Sequence, residues 1–343
     1  MTFGCANNKA ESEIMMGLLE KAGHRIVKEG EGLLVINSCA VKGPTENRAL
    51  EKIKNYEKLL VVAGCLPEYA PEKVRKANPQ AVLLGTNRFN RIVEAVEEGK
   101  DFLGYAKTVR AGHPRVRINK KVGVVPISSG CLGDCAYCCV KNIKKTFHSF
   151  PEKTVLEEVE KSLREGVNEI WITSQDNGCY GHDSGTSIVE LLKKIILVPG
   201  NFKVRVGMMN PQWAGKYLKN LIQVFKSPKI MKFVHVPVQS GSDKILKAMN
   251  RQYSVKDFVE VVETFRKEVP GVSVSTDVIV GFPGETEKDF EQTYELVKKI
   301  NPEVLNLSKF WVRKGTRAEG MEQVLRKIIK KRSRKIFRLI KTA

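Results

Sequence analysis

Nine short apolar runs, interleaved with stretches of helical periodicity, constrain this chain more than any other feature. Strands joined by helices predict parallel sheets, because a parallel pair needs a crossover connection and a helix supplies it. In the first hundred residues, 33–37, 59–63 and 81–84 read as strands, and 11–22, 45–56 and 88–97 as helices. A second series has strands at 122–127, 169–173, 203–208, 232–236, 272–280 and 304–307, with helical patterns such as 154–165 and 255–267. Six strands with helical crossovers suit an open, partial (β/α)6 barrel, since a full eight-stranded barrel typically takes about 250 residues. The expected class is α/β: an N-terminal parallel-sheet domain (1–106), a basic linker (107–121), the partial barrel (122–312) and a short basic segment (313–343). In that last segment a helix from residue 321 onward carries Val324, Leu325, Ile328, Ile329, Ile336 and Ile340 as its apolar stripe.

Composition narrows the function. Lys and Arg number 58 against 38 Asp and Glu, giving a net charge of +20. Residues 107–121 hold six basic side chains and no acid, and residues 322–341 hold nine against one, so these two segments carry most of the excess. Clustered Lys and Arg favour a polyanionic partner such as RNA, although a basic helix can also be only a solvated face. No apolar run approaches the ~18 residues that cross a bilayer, and Glu11 and Glu13 spoil a signal peptide, so no membrane role is expected and the chain is read as cytoplasmic. In that reducing setting eight cysteines point to metal or catalytic thiols rather than disulfides.

The densest cysteine group is Gly130-Cys131-Leu132-Gly133-Asp134-Cys135-Ala136-Tyr137-Cys138, a C-x3-C-x2-C loop directly after the strand 122–127. Three soft thiolates on one short, glycine-containing loop can hold three irons of a 4Fe-4S cube and leave the fourth open. A structural zinc site is the alternative, but His148, ten residues beyond Cys138, is the nearest histidine and no fourth ligand follows closely. Cys139 would give the wrong spacing and reads as a small buried residue, and Cys179 as structural.

A second group is dispersed. Cys5 follows Thr2-Phe3-Gly4, Cys39 follows Ile36-Asn37-Ser38, and Cys65 follows Val62-Ala63-Gly64, each just past the carboxyl end of a predicted parallel strand. Those ends form the ligand crevice of an open α/β sheet, so the three thiols can meet and hold a second cluster. Three ordinary half-buried cysteines remain the alternative.

These motifs resemble the radical S-adenosylmethionine (SAM) superfamily, and the three N-terminal Cys segments resemble the extra domain of its methylthiotransferase branch. Further segments match that branch: Thr173-Ser174-Gln175-Asp176 with Tyr180-Gly181, Val206-Gly207-Met208-Met209-Asn210-Pro211, His235-Val236-Pro237-Val238-Gln239-Ser240-Gly241-Ser242, and Asp277 to Thr286. Val140-Lys141 and the Gly207–Pro211 segment are most similar to the archaeal and eukaryotic members acting on threonylcarbamoyladenosine beside the tRNA anticodon. The chain departs from the family where Lys144-Lys145 replace an Arg-Gly pair and where Lys314 replaces a Pro. It also begins with almost no strand before Cys5, leaving room for an upstream start. It ends in the basic helix where the family carries an RNA-binding β-domain, for which that helix is expected to substitute.

The resemblance implies two 4Fe-4S clusters, at Cys131, Cys135 and Cys138 and at Cys5, Cys39 and Cys65. It also implies SAM as cofactor, tRNA as substrate, and an electron donor and a sulfur donor as partners. Tyr137, Gln175, Asp176, Asp277 and Gly281 are the candidate SAM-binding residues; Gln175 equally suits a structural hydrogen bond. No single catalytic side chain and no oligomeric state is assigned. Competing expectations are methylthiolation of a ribosomal-protein aspartate or of isopentenyladenosine in tRNA, and a non-catalytic RNA-binding iron–sulfur protein.

Overall fold

Helical crossovers let a strand return parallel to an earlier one, and all nine predicted strands form, eight of them in parallel ladders. The computed structural model describes residues 1–27 and 32–341, which divide into two units: Met1–Gly130 with Cys139–Ser174, and Cys131–Cys138 with Gln175 onward.

The first unit runs β1 (Thr2–Phe3), α1 (Ala6–Lys21), β2 (Leu34–Ser38), α2 (Gly43–Lys54), β3 (Leu60–Gly64), α3 (Cys65–Tyr69), α4 (Pro71–Ala77), β4 (Val82–Gly85) and α5 (Ile92–Glu97). It continues with β5 (Val122–Pro126), β6 (Ser128–Ser129), α6 (Val140–Lys144), β7 (His148–Ser149), α7 (Glu152–Arg164) and β8 (Glu169–Thr173). Strands β1-β2-β3-β4 form one parallel sheet in that order, and β5 pairs β8 in parallel. The two-residue side-chain period sends Val61 and Ala63 of β3 to one face, against Ile14, Met15 and Ile92, and Leu60 and Val62 to the other, against Ile53, Leu66 and Val74. Both faces are covered, as a parallel sheet requires.

The basic segment 107–121 does not present all of its charge to solvent. Arg110, Arg115 and Arg117 are buried and paired: Arg110 Nη2 lies 2.8 Å from Glu11, Arg115 Nε 2.7 Å from Glu158, and Arg117 Nη2 2.9 Å from Glu165. Carboxylates distant in sequence neutralise them, so only Lys107, Lys120 and Lys121 of the six remain exposed.

The second unit holds the C-x3-C-x2-C loop, then α8 (Ile188–Leu197), β9 (Lys203–Val206), α9 (Pro211–Lys216), α10 (Leu218–Phe225) and β10 (Phe233–His235). It ends with α11 (Asp243–Ala248), α12 (Val255–Glu268), β11 (Ser273–Val280), α13 (Glu287–Ile300), β12 (Val304–Lys309) and α14 (Arg326–Lys341). Strands β10-β11-β12 are parallel. The basic helix starts at Arg326 rather than at residue 321. Ile329 and Ile336 of its predicted stripe are buried, Leu325 is exposed, and the side chain of Ile340 lies outside the described residues.

Candidate metal centres

Strand register gathers the dispersed cysteines. Phe3 pairs with Ser38, Ser38 with Gly64, and Gly64 with Gly85, one row across the carboxyl ends of β1 to β4. Cys39 and Cys65 are the next residues on their strands and Cys5 lies two beyond Phe3, so the three thiols share one sheet edge. Two glycines make the row possible. Gly64 has φ +97°, and a Cβ there would fall 2.2 Å from Asn37 Oδ1. A Cβ on Gly4 would fall 2.1 Å from Asn8 Oδ1. Asn8 and Asn37 are buried and joined, Asn8 Nδ2 donating to Asn37 Oδ1 at 3.0 Å, while the Cys5 thiol donates to Asn8 Oδ1 at 3.4 Å. Burial pushes the Cys65 thiol well up; Lys144 opposes this, and Cys39, Glu11 and Cys5, all within electrostatic reach, add to it.

The second set lies within one loop. Ala136 N–H donates to Met249 O and Ala318 N–H to Ala136 O, both at 2.9 Å, fixing the loop's centre. Gly133 N–H donates to Cys131 Sγ, and Arg251 Nη1 to Cys135 Sγ, each at 3.2 Å. Such donors favour ionised sulfur. Donor chemistry therefore fits a soft-metal cluster: three thiols on a pinned loop, with an amide and a guanidinium aimed at two of them.

Two neighbours of this loop escaped the sequence reading. Cys179 brings a fourth thiol to it: ligand atoms of Cys131, Asp176 and Cys179 lie within 4.8 Å of one another. A hydrogen bond from Cys179 holds the Cys131 thiol below its ordinary range. Cys179 follows β8 as the N-terminal cysteines follow their strands, a signal the sequence did offer. Arg251 gave none, standing 116 residues from Cys135. It also donates to Tyr253 Oη at 2.8 Å and Pro237 O at 3.3 Å, which sets its direction.

Tyr137 is half-buried, edge-on to Phe282 with centroids 6.4 Å apart. Gln175 is half-buried beside Asp176. Asp176 is buried and accepts from Gly178 N and Asn210 N at 3.0 and 3.2 Å; burial pushes its carboxyl up against those bonds. Asp277 of β11 meets His235 Nε2 of β10 at 3.1 Å. Gly281 has φ +80° and faces α14, where a Cβ would meet Ile329 Cγ1 at 2.4 Å. Cys139 is buried with Ala40 and Ile143.

Residues 125–297 match the radical SAM superfamily, and residues 1–85 the uncharacterized protein family UPF0004. The probable threonylcarbamoyladenosine tRNA methylthiotransferase of Pyrococcus horikoshii is 38% identical over 350 residues, covering 98% of this chain and 82% of that protein. The threonylcarbamoyladenosine tRNA methylthiotransferase of Drosophila melanogaster is 39% identical over 353 residues, covering 98% of this chain and 64% of that protein. Among solved structures, the radical SAM methyltransferase TsrM of Kitasatospora setae shares the fold at a TM-score of 0.64 and 14% identity, over 90% of this chain and 70% of that one.

Proposed function

Because the chain belongs to the threonylcarbamoyladenosine tRNA methylthiotransferase family of radical SAM enzymes, we propose that it converts threonylcarbamoyladenosine beside the tRNA anticodon to its 2-methylthio derivative. The observation that carries the proposal is two separate sets of three thiols, one on a short pinned loop and one on a single sheet edge. Each set suits a 4Fe-4S cube with one open iron, Cys131, Cys135 and Cys138 holding one and Cys5, Cys39 and Cys65 the other. When bound, the clusters and SAM supply the one-electron radical chemistry, the sulfur and the methyl group.

The chain's own residues bind and orient. Arg251 and the Gly133 amide offset the negative charge that the loop thiolates gather. Tyr137, Gln175, Asp176, Asp277 and Gly281 are assigned to the SAM site, where barrel strands open their active face. Asp277 fixes the His235 ring, Asp176 orders the turn at residues 177–179, and Gly281 allows the bend after β11. Residues 1–106 act as the sulfur-donating domain, 122–312 as the radical domain and 313–343 as a basic tRNA contact, with 107–121 between the first two. An electron donor and a sulfur donor complete the cycle, and a tRNA substrate fits a cytoplasmic setting.

Mass spectrometry of nucleosides from tRNA incubated with the iron-reconstituted protein tests this. The 2-methylthio derivative of threonylcarbamoyladenosine is expected, and Cys39→Ala should abolish it while deoxyadenosine is still released from SAM. A product only on isopentenyladenosine or on a ribosomal-protein aspartate would overturn the substrate. Absence of deoxyadenosine would leave an RNA-binding iron–sulfur protein.

A further inference from the structure

Beside the N-terminal cysteine edge lies a buried charge group whose charges do not cancel. Thr86, the residue that follows Gly85 past the carboxyl end of β4, donates its N–H to the O of Gly64, the residue before Cys65, at 3.0 Å. Its hydroxyl receives Lys144 Nζ at 2.6 Å and donates to Glu11 Oε1 at 2.7 Å. Arg110 Nε donates to the same Glu11 oxygen at 2.8 Å, and its Nη2 to Thr86 O at 2.8 Å. Lys144, Glu11, Thr86 and Arg110 are all at least nine-tenths buried. Two cations thus share one carboxylate, with Lys144 Nζ 3.5 Å from it.

A buried cation needs a compensating anion, since leaving it unpaired away from water is strongly unfavourable. Glu68, another carboxylate in reach of Lys144, is half-buried and faces Lys145 and Arg88 as well, so it does not close the balance. Burial and the neighbouring Arg110 push the Lys144 ammonium down from its ordinary range, and Glu11 and the thiols of Cys65 and Cys5 are among the groups that hold it charged. A 4Fe-4S cube held by three thiolates carries net negative charge and gains more on reduction. That charge completes the group.

We propose that Lys144, held by Thr86 and Glu11, is the counter-charge of the cluster at Cys5, Cys39 and Cys65 and sets its reduction potential. Lys144 is a positioning and tuning residue that touches no substrate. The proposal rests on the assignment of those three cysteines to a cluster. A cation near a cluster favours its reduced, more negative state, and a carboxylate disfavours it, so the two sides of the network pull the potential in opposite directions.

The test uses the full chain with Cys131, Cys135 and Cys138 changed to Ala, leaving one cluster to observe. After reconstitution with iron and sulfide, bound iron is counted and the midpoint potential is read by an EPR-monitored redox titration. Lys144→Met should move the midpoint negative, Lys144→Arg should restore it, and Glu11→Gln should move it positive. General loosening of the fold would not give opposite signs from neighbouring substitutions. Should Lys144→Met fail to fold, the positive shift in Glu11→Gln and the unshifted Lys144→Arg still decide. Unchanged midpoints, or shifts of one sign in both variants, would overturn the role of Lys144. A parent chain that binds no iron would overturn the cysteine assignment itself.

Discussion

Lys145 stands at φ +58° and ψ −64°, and Thr146 N–H closes onto Lys144 O at 2.7 Å, so one residue forms a γ-turn with positive φ at its centre. For a side chain with a Cβ this conformation costs about 1–3 kcal/mol. The turn ends α6 and aims Lys144 inward while Lys145 stays exposed. Lys145→Gly should remove that strain against a glycine entropy cost of about 0.5–1 kcal/mol, for a net gain of roughly 1 kcal/mol. A denaturant midpoint that rises for Lys145→Gly and stays put for Lys145→Ala is the expected result. This strain was legible in the sequence, because a lysine stood where the resembled family places a glycine. The inward turn of Lys144 was not: nothing local distinguishes it from Lys145, and its partners Glu11 and Thr86 are 133 and 58 residues away.

Among elements, α13 shows how a helix start is tied to its surroundings. Thr286 and Asp289 form a capping box, Asp289 accepting from Thr286 N at 3.0 Å and Oγ1 at 2.6 Å while Thr286 Oγ1 accepts from Asp289 N at 3.2 Å. Asp289 is buried and also accepts from Ser242 Oγ at 2.8 Å and Lys244 Nζ at 2.9 Å, fastening α13 to the segment entering α11. Burial alone would raise its carboxyl; the bonds from Thr286, Lys244 and Ser242 prevail and hold it well below the ordinary range. A depressed carboxylate stabilises the fold above its unfolded pKa and loses that contribution as pH falls through the folded one. Asp289→Asn should therefore cost about 1–2 kcal/mol at neutral pH. Parallel urea titrations at pH 7 and below about pH 4 should show the gap between parent and variant narrowing in acid. The box was readable from Thr286-Glu287-Lys288-Asp289. The bonds to Ser242 and Lys244 were not, because they depend on tertiary contact. Likewise the strands were placed to within a few residues by their apolar runs, whereas α14 begins five residues late. Its docking depends on Gly281 against Ile329 and on Arg332 with Glu285 at 2.7 Å, not on periodicity.

At the scale of the whole molecule, a net charge of +20 is not one uniform property. The arginines of segment 107–121 lie inside the first unit with Glu11, Glu13, Glu158 and Glu165, whereas Arg326, Lys327, Lys330, Lys331 and Arg334 of α14 are exposed. Charge counting along the sequence ranks the two segments alike, since it cannot see which acids fold against which bases. Their chemistry should differ accordingly. Exposed lysines that meet phosphates release counterions, each contact contributing roughly 0.7–0.9 to the slope of log affinity against log salt. Changing Lys327, Lys330 and Lys331 together to Ala should weaken tRNA binding at low salt and flatten that slope by about 2, with little change in unfolding. Arg115→Gln should do the reverse. It leaves the Glu158 carboxylate without its 2.7 Å partner in the interior, at a cost of about 3–5 kcal/mol, and the salt slope stays at the parent value in the fraction that remains folded. Filter binding across a salt series, paired with urea denaturation of both variants, separates the two. Equal slopes for parent and triple variant would remove α14 from the tRNA interface.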